Sequence, residues 1–343
     1  MAASLITRLF ATDLAVDLGT SNTRVYVRGR GTVMEEPSII ATRSTDGGII
    51  AAGHEAKAML GRTPSSIVAV RPIRNGVIAD LDLAQKMLVH FIGRVPRRLS
   101  TVVRPRIAVV VPWGITQVER RAVRDSAMQA GARDVCLVDE PLVAAIGAGM
   151  PIDEAGGHMI VTIGGGTTQA ALISLSGVVH CETVRTGGDD MDEAITQWVR
   201  KHHNLLIGER QAETIKLTLG SARPLALGRK LEVKGRDTID GLPKTVTVEE
   251  EEVADALRES IVSIVDSVRV CLERTPAELA ADIVDKGIVL AGGGALLPGL
   301  ADVLHLETGL PVVLAAEPLT CAVVGAGAML DRVALMKRAA SAA

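Results

Sequence analysis

Two short stretches of this chain carry the residue types that hold phosphate. Residues 160–173 read IVTIGGGTTQAALI, a β-branched strand broken by three consecutive glycines and two threonines. Residues 15–27 read AVDLGTSNTRVYV, a strand, a turn of Gly, Thr, Ser and Asn, and a second strand. Turns of this composition expose successive backbone N–H groups, and without bulky Cβ atoms an anion can approach them closely. Laid over one another the stretches match: Gly19 meets Gly164, Thr20 meets Gly165, Asn22 meets Thr167 and Thr23 meets Thr168. Two such hairpins facing each other across a cleft would grip a polyphosphate from both sides. Hydroxyls of Thr20, Ser21, Thr23, Thr167 and Thr168 could add donors. Asp17 closes its strand where a carboxylate could hold the waters of Mg²⁺, but the overlay sets Thr162 in the equivalent place. A third cluster, LAGGGALL at 290–297, closes a strand and opens a helix at Gly292, Gly293 and Gly294, whose amides could meet a phosphate or a ribose.

Loops of this kind need strands to aim them. LAVDLG, TRVYVRG, RIAVVVP, DVCLVDE, HMIVTIGG, AALISL and KGIVLAGG read as buried strands. Helical spacing of apolar residues recurs over 116–130 and 248–273. The later helix is expected to begin with a capping box of Thr247 and Glu250, and its acidic run Glu249–Glu252 to be a solvated start suited to the helix dipole. A second echo pairs RIAVVVPWGIT, beginning at 106, with KGIVLAGGGALL, beginning at 286. The pattern predicts an α/β protein in two halves built on one plan, for which 343 residues suffice.

Composition narrows the partners. With 37 basic and 40 acidic residues the formal charge is −3, and no basic stripe is interleaved with aromatics, so nucleic acid is not expected. Only 1% of residues are aromatic, so Val, Ile, Leu and Ala must build the core. Cys136, Cys181, Cys271 and Cys321 are scattered singly, as small core residues in a reducing cytosol. His202 and His203 adjoin and the other histidines are dispersed, giving no metal-ligand spacing. No apolar run is long enough to span a membrane, and MAASLITRLF lacks the features of a signal peptide.

The motifs DLGTSNT, RPIRNGVIADLD, VDEPLVAAIGAGMPI, IGGGTTQ, TGGDDMDEAI, NLLIGERQAETIK and DKGIVLAGGGALLPGL, in this order, resemble the bacterial actin homologue MreB and its MreB-like paralogues. The resemblance runs from residue 13 to 330. It implies an actin-like ATPase fold: two duplicated, ribonuclease H-like lobes, each with a smaller subdomain, and a nucleotide in the central cleft. Residues 13–151 would form the first lobe, with a C-terminal helix 321–337 packing back on it, and 152–320 the second. Carried over by motif, ATP and Mg²⁺ would meet Asp17, Gly19, Thr20, Ser21, Asn22, Thr23 and Arg24 in the first loop, the metal through water on Asp17. The second loop would supply Gly164, Gly165, Gly166 and Thr167. Gly187, Gly188 and Asp189 would support ribose and phosphate; Glu213, Thr214, Ile215 and Lys216 would face the adenosine, and Gly292, Gly293, Gly294, Ala295 and Leu296 would complete the site. From the residues alone, Glu213 and Lys216 could equally form an exposed ion pair.

The chain departs from the family where hydrolysis is concerned. The usual loop is DIGGGTTE and this one is TIGGGTTQ: Thr162 has neither the charge nor the basicity of the aspartate, and Gln169 keeps the shape of glutamate without its charge. Glu140 remains. The resemblance makes it the group that positions the lytic water beside Thr167, although a helix N-terminal acid is favoured by the dipole alone. ATP binding with slow or absent hydrolysis is the expectation. Trp113, where the family has a small serine, would either narrow the cleft or fill a gap in an aromatic-poor core.

At the N-terminus, Leu5, Ile6, Leu9 and Phe10 fall on one helical face, so residues 1–12 are either a weak anchor to the inner membrane face or a frayed end. The basic segment 94–106 is either an aid at an anionic surface or a solvated loop. By resemblance the chain would stack head to tail into cytoplasmic, membrane-associated filaments that organise cell shape with the wall-synthesis machinery. Two other readings stand beside this. One is a non-hydrolysing paralogue that copolymerises with an active MreB; the other is a chaperone-like or sugar-kinase-like ATPase of the same superfamily. The chaperone would need a further domain after the GAGAML helix and the kinase a catalytic base and sugar cleft that are not identifiable here.

Overall fold

The computed structural model describes residues 13–95 and 104–331. The expected N-terminal anchor, most of the basic segment and the end of the expected 321–337 helix lie outside them. The chain begins with strands β1 (Leu14–Leu18), β2 (Asn22–Val27), β3 (Gly31–Pro37), β4 (Ile40–Arg43) and β5 (Ile49–Ala52). Then come α1 (His54–Met59), β6 (Ile67–Val70), β7 (Ile73–Arg74), β8 (Val77–Ile78), α2 (Leu81–Arg94), β9 (Arg106–Val111), α3 (Gln117–Gln129), β10 (Asp134–Asp139) and α4 (Glu140–Gly147). The next elements are β11 (His158–Ile163), β12 (Thr168–Ser174), β13 (Gly177–Val184), α5 (Gly188–His203), β14 (Leu205–Leu206), α6 (Glu209–Leu219), β15 (Lys230–Asp237) and β16 (Pro243–Glu249). The last are α7 (Glu250–Glu273), α8 (Ala277–Lys286), β17 (Ile288–Ala291), a 3₁₀ turn (Gly293–Leu296), α9 (Leu300–Thr308), β18 (Val312–Leu314) and α10 (Cys321–Met329).

Two compact units divide the described residues: one gathers 13–95, 104–155, 173–178 and 319–331, the other 156–172 and 179–318. In the first, five strands are ordered β3-β2-β1-β9-β10, with β1 antiparallel to β2 and parallel to β9. Side chains alternate across a strand, so β1 buries residues on both faces. Leu14 and Val16 join Leu88 and Ile92 of α2 and Val123 and Ala127 of α3. Ala15 instead meets Val143 of α4 and Ala326 and Met329 of α10. Covering helices on both faces account for the unbroken apolar run of β9. Helix α3 starts with a capping box in which the Glu119 N–H donates to Thr116 Oγ1 and the Thr116 N–H to Glu119 Oε2. A smaller sheet, β5-β4-β6, packs Ile40 and Ala52 on Met87 and Phe91 of α2.

The second sheet, which apart from the ends of β12 and β13 at 173–178 lies in the second unit, repeats the strand order as β13-β12-β11-β17-β18, with β17 parallel to both β11 and β18. Each strand of one sheet thus has a counterpart at the same place in the other, and the two hairpin turns identified in the sequence join counterpart strands. A single aliphatic core runs from Met159, Val161 and Ile163 of β11 to Ile195 of α5, Ile215 of α6, Leu257 and Ile264 of α7 and Leu304 of α9. A three-stranded sheet, β14-β15-β16, adds Val233 and Val248.

The start of α7 differs from the expectation. Thr247 lies within β16, so the cap falls two residues later: the Glu249 N–H donates to Glu252 Oε2 at 2.8 Å. Glu250 is buried rather than solvated, ion-paired to Arg229 at 2.8 Å, which holds its carboxyl below the usual range together with backbone donors of Leu227 and Gly228. Strands β3 to β8, β13 to β16 and β18 were not read from the sequence, because β3, β13, β15 and β16 are half-exposed and the others are only two to four residues long, so none carries a long continuous apolar run. Cys136, Cys271 and Cys321 are buried, and burial pushes the Cys271 thiol up to about 11. No described helix is long and apolar enough to cross a membrane.

Candidate functional site

The first loop grows from the register of β1, β2 and β3. Asp17 lies opposite Arg24, and Arg24 opposite Glu35, so a row of alternating charge crosses the three strands. Arg24 donates through Nε at 3.1 Å and Nη2 at 2.6 Å to Glu35 Oε1, and its Nη1 stands 3.8 Å from Asp17 Oδ2. Burial raises the Asp17 carboxyl above its ordinary range, against the pull of Arg24 and with a further push from Glu35. Arg24, expected to contact nucleotide, is committed to these two acids.

Neighbouring side chains hold the turn. Ser38 Oγ donates to the Gly19 carbonyl at 2.6 Å and lies 2.9 Å from Thr23 Oγ1, while the Ser38 N–H donates to the Ser21 carbonyl at 2.9 Å. Thr20 Oγ1 accepts the Gly76 N–H at 3.0 Å. Thr23 is therefore a brace and not the donor expected, because its hydroxyl is buried against Ser38. Gly19 is needed for close approach: a Cβ there would stand 2.7 Å from the Asn22 carbonyl oxygen. Ser38 and Glu35 escaped sequence reading, since only strand register brings them to the turn.

In the same unit Glu140 opens α4, directly after Asp139. Asp139 makes no side-chain cap; its Oδ1 instead accepts from Arg120 Nη2 at 3.1 Å, which ties α3 to the strand-to-helix turn that carries Glu140. Burial raises the Asp139 carboxyl, with Arg120 opposing. Trp113 lies half-buried in the turn after β9, beside Gly114.

The second loop has the same outline. The Gly164 N–H donates to the Thr167 carbonyl at 2.8 Å, closing the turn between β11 and β12. Thr162, at the position matching Asp17, is 2% exposed and faces Ala291 in the register of β17. Its Oγ1 meets no hydrogen-bond partner among the described residues. Gln169 is 0% exposed, and Thr168 donates to the Thr186 carbonyl at 2.7 Å, so that hydroxyl too is spent inside the fold and is not the donor expected.

Here the brace is a helix start. The Gly188 N–H donates to the Gly164 carbonyl at 3.0 Å and the Asp189 N–H to the Gly165 carbonyl at 2.7 Å. Backbone meets backbone so closely that a Cβ on Gly187 would lie 2.5 Å from the Gly165 oxygen and 2.7 Å from that of Gly164. Lys216 of α6 locks the arrangement, donating to the Gly188 carbonyl at 2.6 Å and pairing with Asp192 of α5 at 2.9 Å. Burial lifts the Asp192 carboxyl to about 6; Lys216 opposes this, and Asp189 and Glu213 add to it. Lys216 thus pairs with Asp192, a residue the sequence reading missed although it lies one helical turn past the TGG motif. Thr214 Oγ1 is back-bonded to the Arg210 carbonyl and Ile215 belongs to the core, so neither joins this group.

The third glycine cluster packs closely against β11. The Gly292 N–H donates to the Pro318 carbonyl at 2.8 Å, and a Cβ on Gly292 or Gly294 would collide with Ile163. Gly292 leads into a four-residue 3₁₀ turn rather than the expected helix, with Ala295 buried and Leu296 exposed. The Gly292 amide is therefore spent on Pro318, and the missing Cβ atoms of Gly292 and Gly294 let this turn lie close against Ile163 of β11.

The donor chemistry of the two turns fits a nucleotide: the Gly165 and Gly166 N–H groups meet no backbone acceptor among the described residues, in a loop whose carbonyls are already held from behind. Magnesium fits less well. The first turn offers Asp17, which already faces Arg24, and the second turn carries no carboxylate.

The family profile for MreB/Mbl protein matches residues 11–338. The chain is 51% identical over 329 residues to the cell shape-determining protein MreB of Escherichia coli strain K12, covering 95% of each chain. To the cell shape-determining protein Mbl of Bacillus subtilis strain 168 it is 44% identical over 323 residues, covering 94% of this chain and 97% of the relative. The crystal structure of MreB 5 of Spiroplasma citri bound to AMPPNP superposes with a TM-score of 0.88 at 34% identity, over 94% of this chain and 97% of that one.

Proposed function

The chain belongs to the MreB/Mbl family and has its actin-like fold, and from that premise we propose that it is a filament-forming cytoskeletal protein that binds ATP, hydrolyses it slowly or not at all and takes part in determining cell shape. The observation that carries the reading is the pair of glycine turns at equivalent places in two sheets of identical strand order. Backbone amides at Gly165 and Gly166 bind phosphate oxygens, while Gly19, Thr20 and Ser21 contribute from the first turn. Glu140, opening α4, and Thr167 orient water. When bound, magnesium neutralises phosphate charge.

Slow turnover has its cause in the second loop. Loss of one electrostatic element of a catalytic site commonly costs about 10²-fold or more in rate, and here Thr162 stands where an aspartate would order the attacking water. ATP then acts chiefly as an assembly ligand: binding favours the conformer whose ends fit the next subunit, a population shift that needs no cleavage. Residues 1–12 add weak contact with the inner membrane face, made effective by many copies in a filament. The neutral pair Thr162 and Gln169 also favours a second reading, a regulatory paralogue that copolymerises with an active relative.

Sedimentation without nucleotide, with ATP and with a non-hydrolysable analogue, together with phosphate release, tests the proposal. Equal pelleting in the two nucleotides with little phosphate released is expected, and Thr162→Asp combined with Gln169→Glu should raise turnover about tenfold or more. Fast turnover by the wild type would sink the slow-hydrolysis reading, and pelleting independent of nucleotide would sink the assembly-ligand reading. A requirement for an added paralogue would select the copolymer.

A further inference from the structure

A turn binds phosphate well when its amides are aimed before the ligand arrives, because ordering them afterwards subtracts from affinity. In a trans peptide the carbonyl and the following N–H point in opposite directions. Holding a carbonyl from behind therefore fixes the N–H that faces away from it. In the second turn the Gly164 carbonyl accepts the Gly188 N–H at 3.0 Å and the Gly165 carbonyl accepts the Asp189 N–H at 2.7 Å. These two bonds set the directions of the Gly165 and Gly166 amides. Both donors belong to the start of α5, and the Gly188 carbonyl beside them is taken by Lys216 Nζ of α6 at 2.6 Å. A Cβ at Gly188 would stand 3.3 Å from that nitrogen, so glycine leaves the ammonium its place. Lys216 is anchored in turn by Asp192, one helical turn along α5, at 2.9 Å, and both side chains are largely buried. Every one of these residues lies in the second unit. Electrostatics alone would give Asp192 the wrong sign for a phosphate site, since Asp189 and Glu213 already face it. Removing a further acid would leave Lys216 an unmatched cation and strengthen the attraction for a polyanion. What the pairing supplies instead is position: it immobilises an ammonium on a flexible four-carbon stem.

We propose that Asp192 is a positioning residue for the phosphate turn: through Lys216 it holds the Gly188 carbonyl, and with it the helix start that aims the Gly165 and Gly166 amides at the nucleotide's phosphates. The inference rests on the ATP reading above and deepens it. Lys216 is spent on Asp192 and Gly188, so the pair governs affinity for the phosphates and leaves affinity for the nucleoside unchanged.

The test is competition by ATP and by adenosine against a fluorescent ATP analogue bound to the full chain, read by anisotropy slightly above neutral pH, where Asp192, lifted to about 6, is ionised. Asp192→Ala takes away the anchor of Lys216 and should raise the Kd for ATP about tenfold while leaving that for adenosine within about twofold. Asp192→Asn removes the same charge but keeps an oxygen beside Lys216, so its Kd for ATP should stay within about threefold of the wild type. Tighter ATP binding by both variants would mean that charge rather than position governs the effect, and overturns the inference. An equal loss for ATP and adenosine, the mark of a merely structural role, overturns it too. Lys216→Met releases the Gly188 carbonyl from the other side and should show the same split between ligands, so it decides if circular dichroism finds Asp192→Ala unfolded. In the wild type, ATP but not adenosine should slow hydrogen exchange at the Gly188 and Asp189 amides, and unchanged exchange there also counts against the inference. A wild type that binds neither ligand overturns the ATP reading itself.

Discussion

The first and second glycine turns connect equivalent strands in equivalent sheets, yet their surroundings hold them by different means. Around Gly19 the supports are side chains: Ser38 donates to its carbonyl, Thr20 accepts from Gly76, and a row of Asp17, Arg24 and Glu35 fixes the charge beside it. Around Gly164 they are main-chain groups from the start of α5, admitted by Gly187 and locked by Lys216 on Asp192. A side-chain brace tolerates a charged residue at the strand end. A backbone brace leaves Thr162 deep in the sheet, where an unpaired carboxylate would be costly to bury. The turn has the same outline in the two sheets, and what stands behind it differs.

The largest expected effect comes from Gly187→Ala. Its Cβ would stand 2.5 Å and 2.7 Å from two backbone oxygens that have no freedom to move aside. The substitution should cost at least about 3 kcal/mol in thermal unfolding and abolish nucleotide binding. Gly19→Ala, with one clash at 2.7 Å, should cost less. If the Gly187 variant binds as the wild type does, the helix start does not shape the second loop.

Next in size is the pH dependence of the Lys216–Asp192 lock. Because burial lifts the Asp192 carboxyl from 3.8 to about 6, the native state holds this proton more tightly than the unfolded chain. Its contribution to stability therefore falls as pH rises from about 4 to about 6 and is level above that, a change of about 2 to 3 kcal/mol. Subtracting the unfolding free energies of Asp192→Asn from those of the wild type at each pH should expose this slope. A flat difference would mean that Lys216 fully offsets the burial of the acid.

The smallest effect is expected on the side-chain brace. Ser38→Ala removes the 2.6 Å hydrogen bond to the Gly19 carbonyl and the partner of Thr23. It should cost about 1 to 2 kcal/mol and weaken nucleotide affinity several-fold, as measured by chemical denaturation and anisotropy. An effect on binding as large as that of Gly187→Ala would erase the contrast between a yielding brace and a rigid one.

Much of the fold was legible because buried strands announce themselves: HMIVTI and RIAVVV are continuous apolar runs, and both proved to be central strands. Half-exposed strands such as LEVKGR within β15 carry no such run, and the capping residue of α7 was misplaced because β16 extends through Thr247. In the site, the glycine turns were visible, whereas the partners of Lys216 and Gly19 were not. Asp192 lies 24 positions before Lys216 and Ser38 19 after Gly19, separations at which no local pattern operates.

What the amino-acid sequence determined by itself is local: where the backbone can turn tightly enough to present its amides, which runs must be buried, and that one of the two turns has no acid. Those properties depend on backbone freedom, periodicity and residue charge, all of which are readable along the chain. Tertiary structure decided which polar groups are consumed inside the fold. Thr23 and Thr168 sit in matching positions in the two turns, and both lost their hydroxyls to neighbours, Ser38 Oγ and the Thr186 carbonyl. A buried hydroxyl takes whatever partner the packing of strands and helices brings within reach, and that is settled by strand register and helix docking over long separations rather than by the residues beside it.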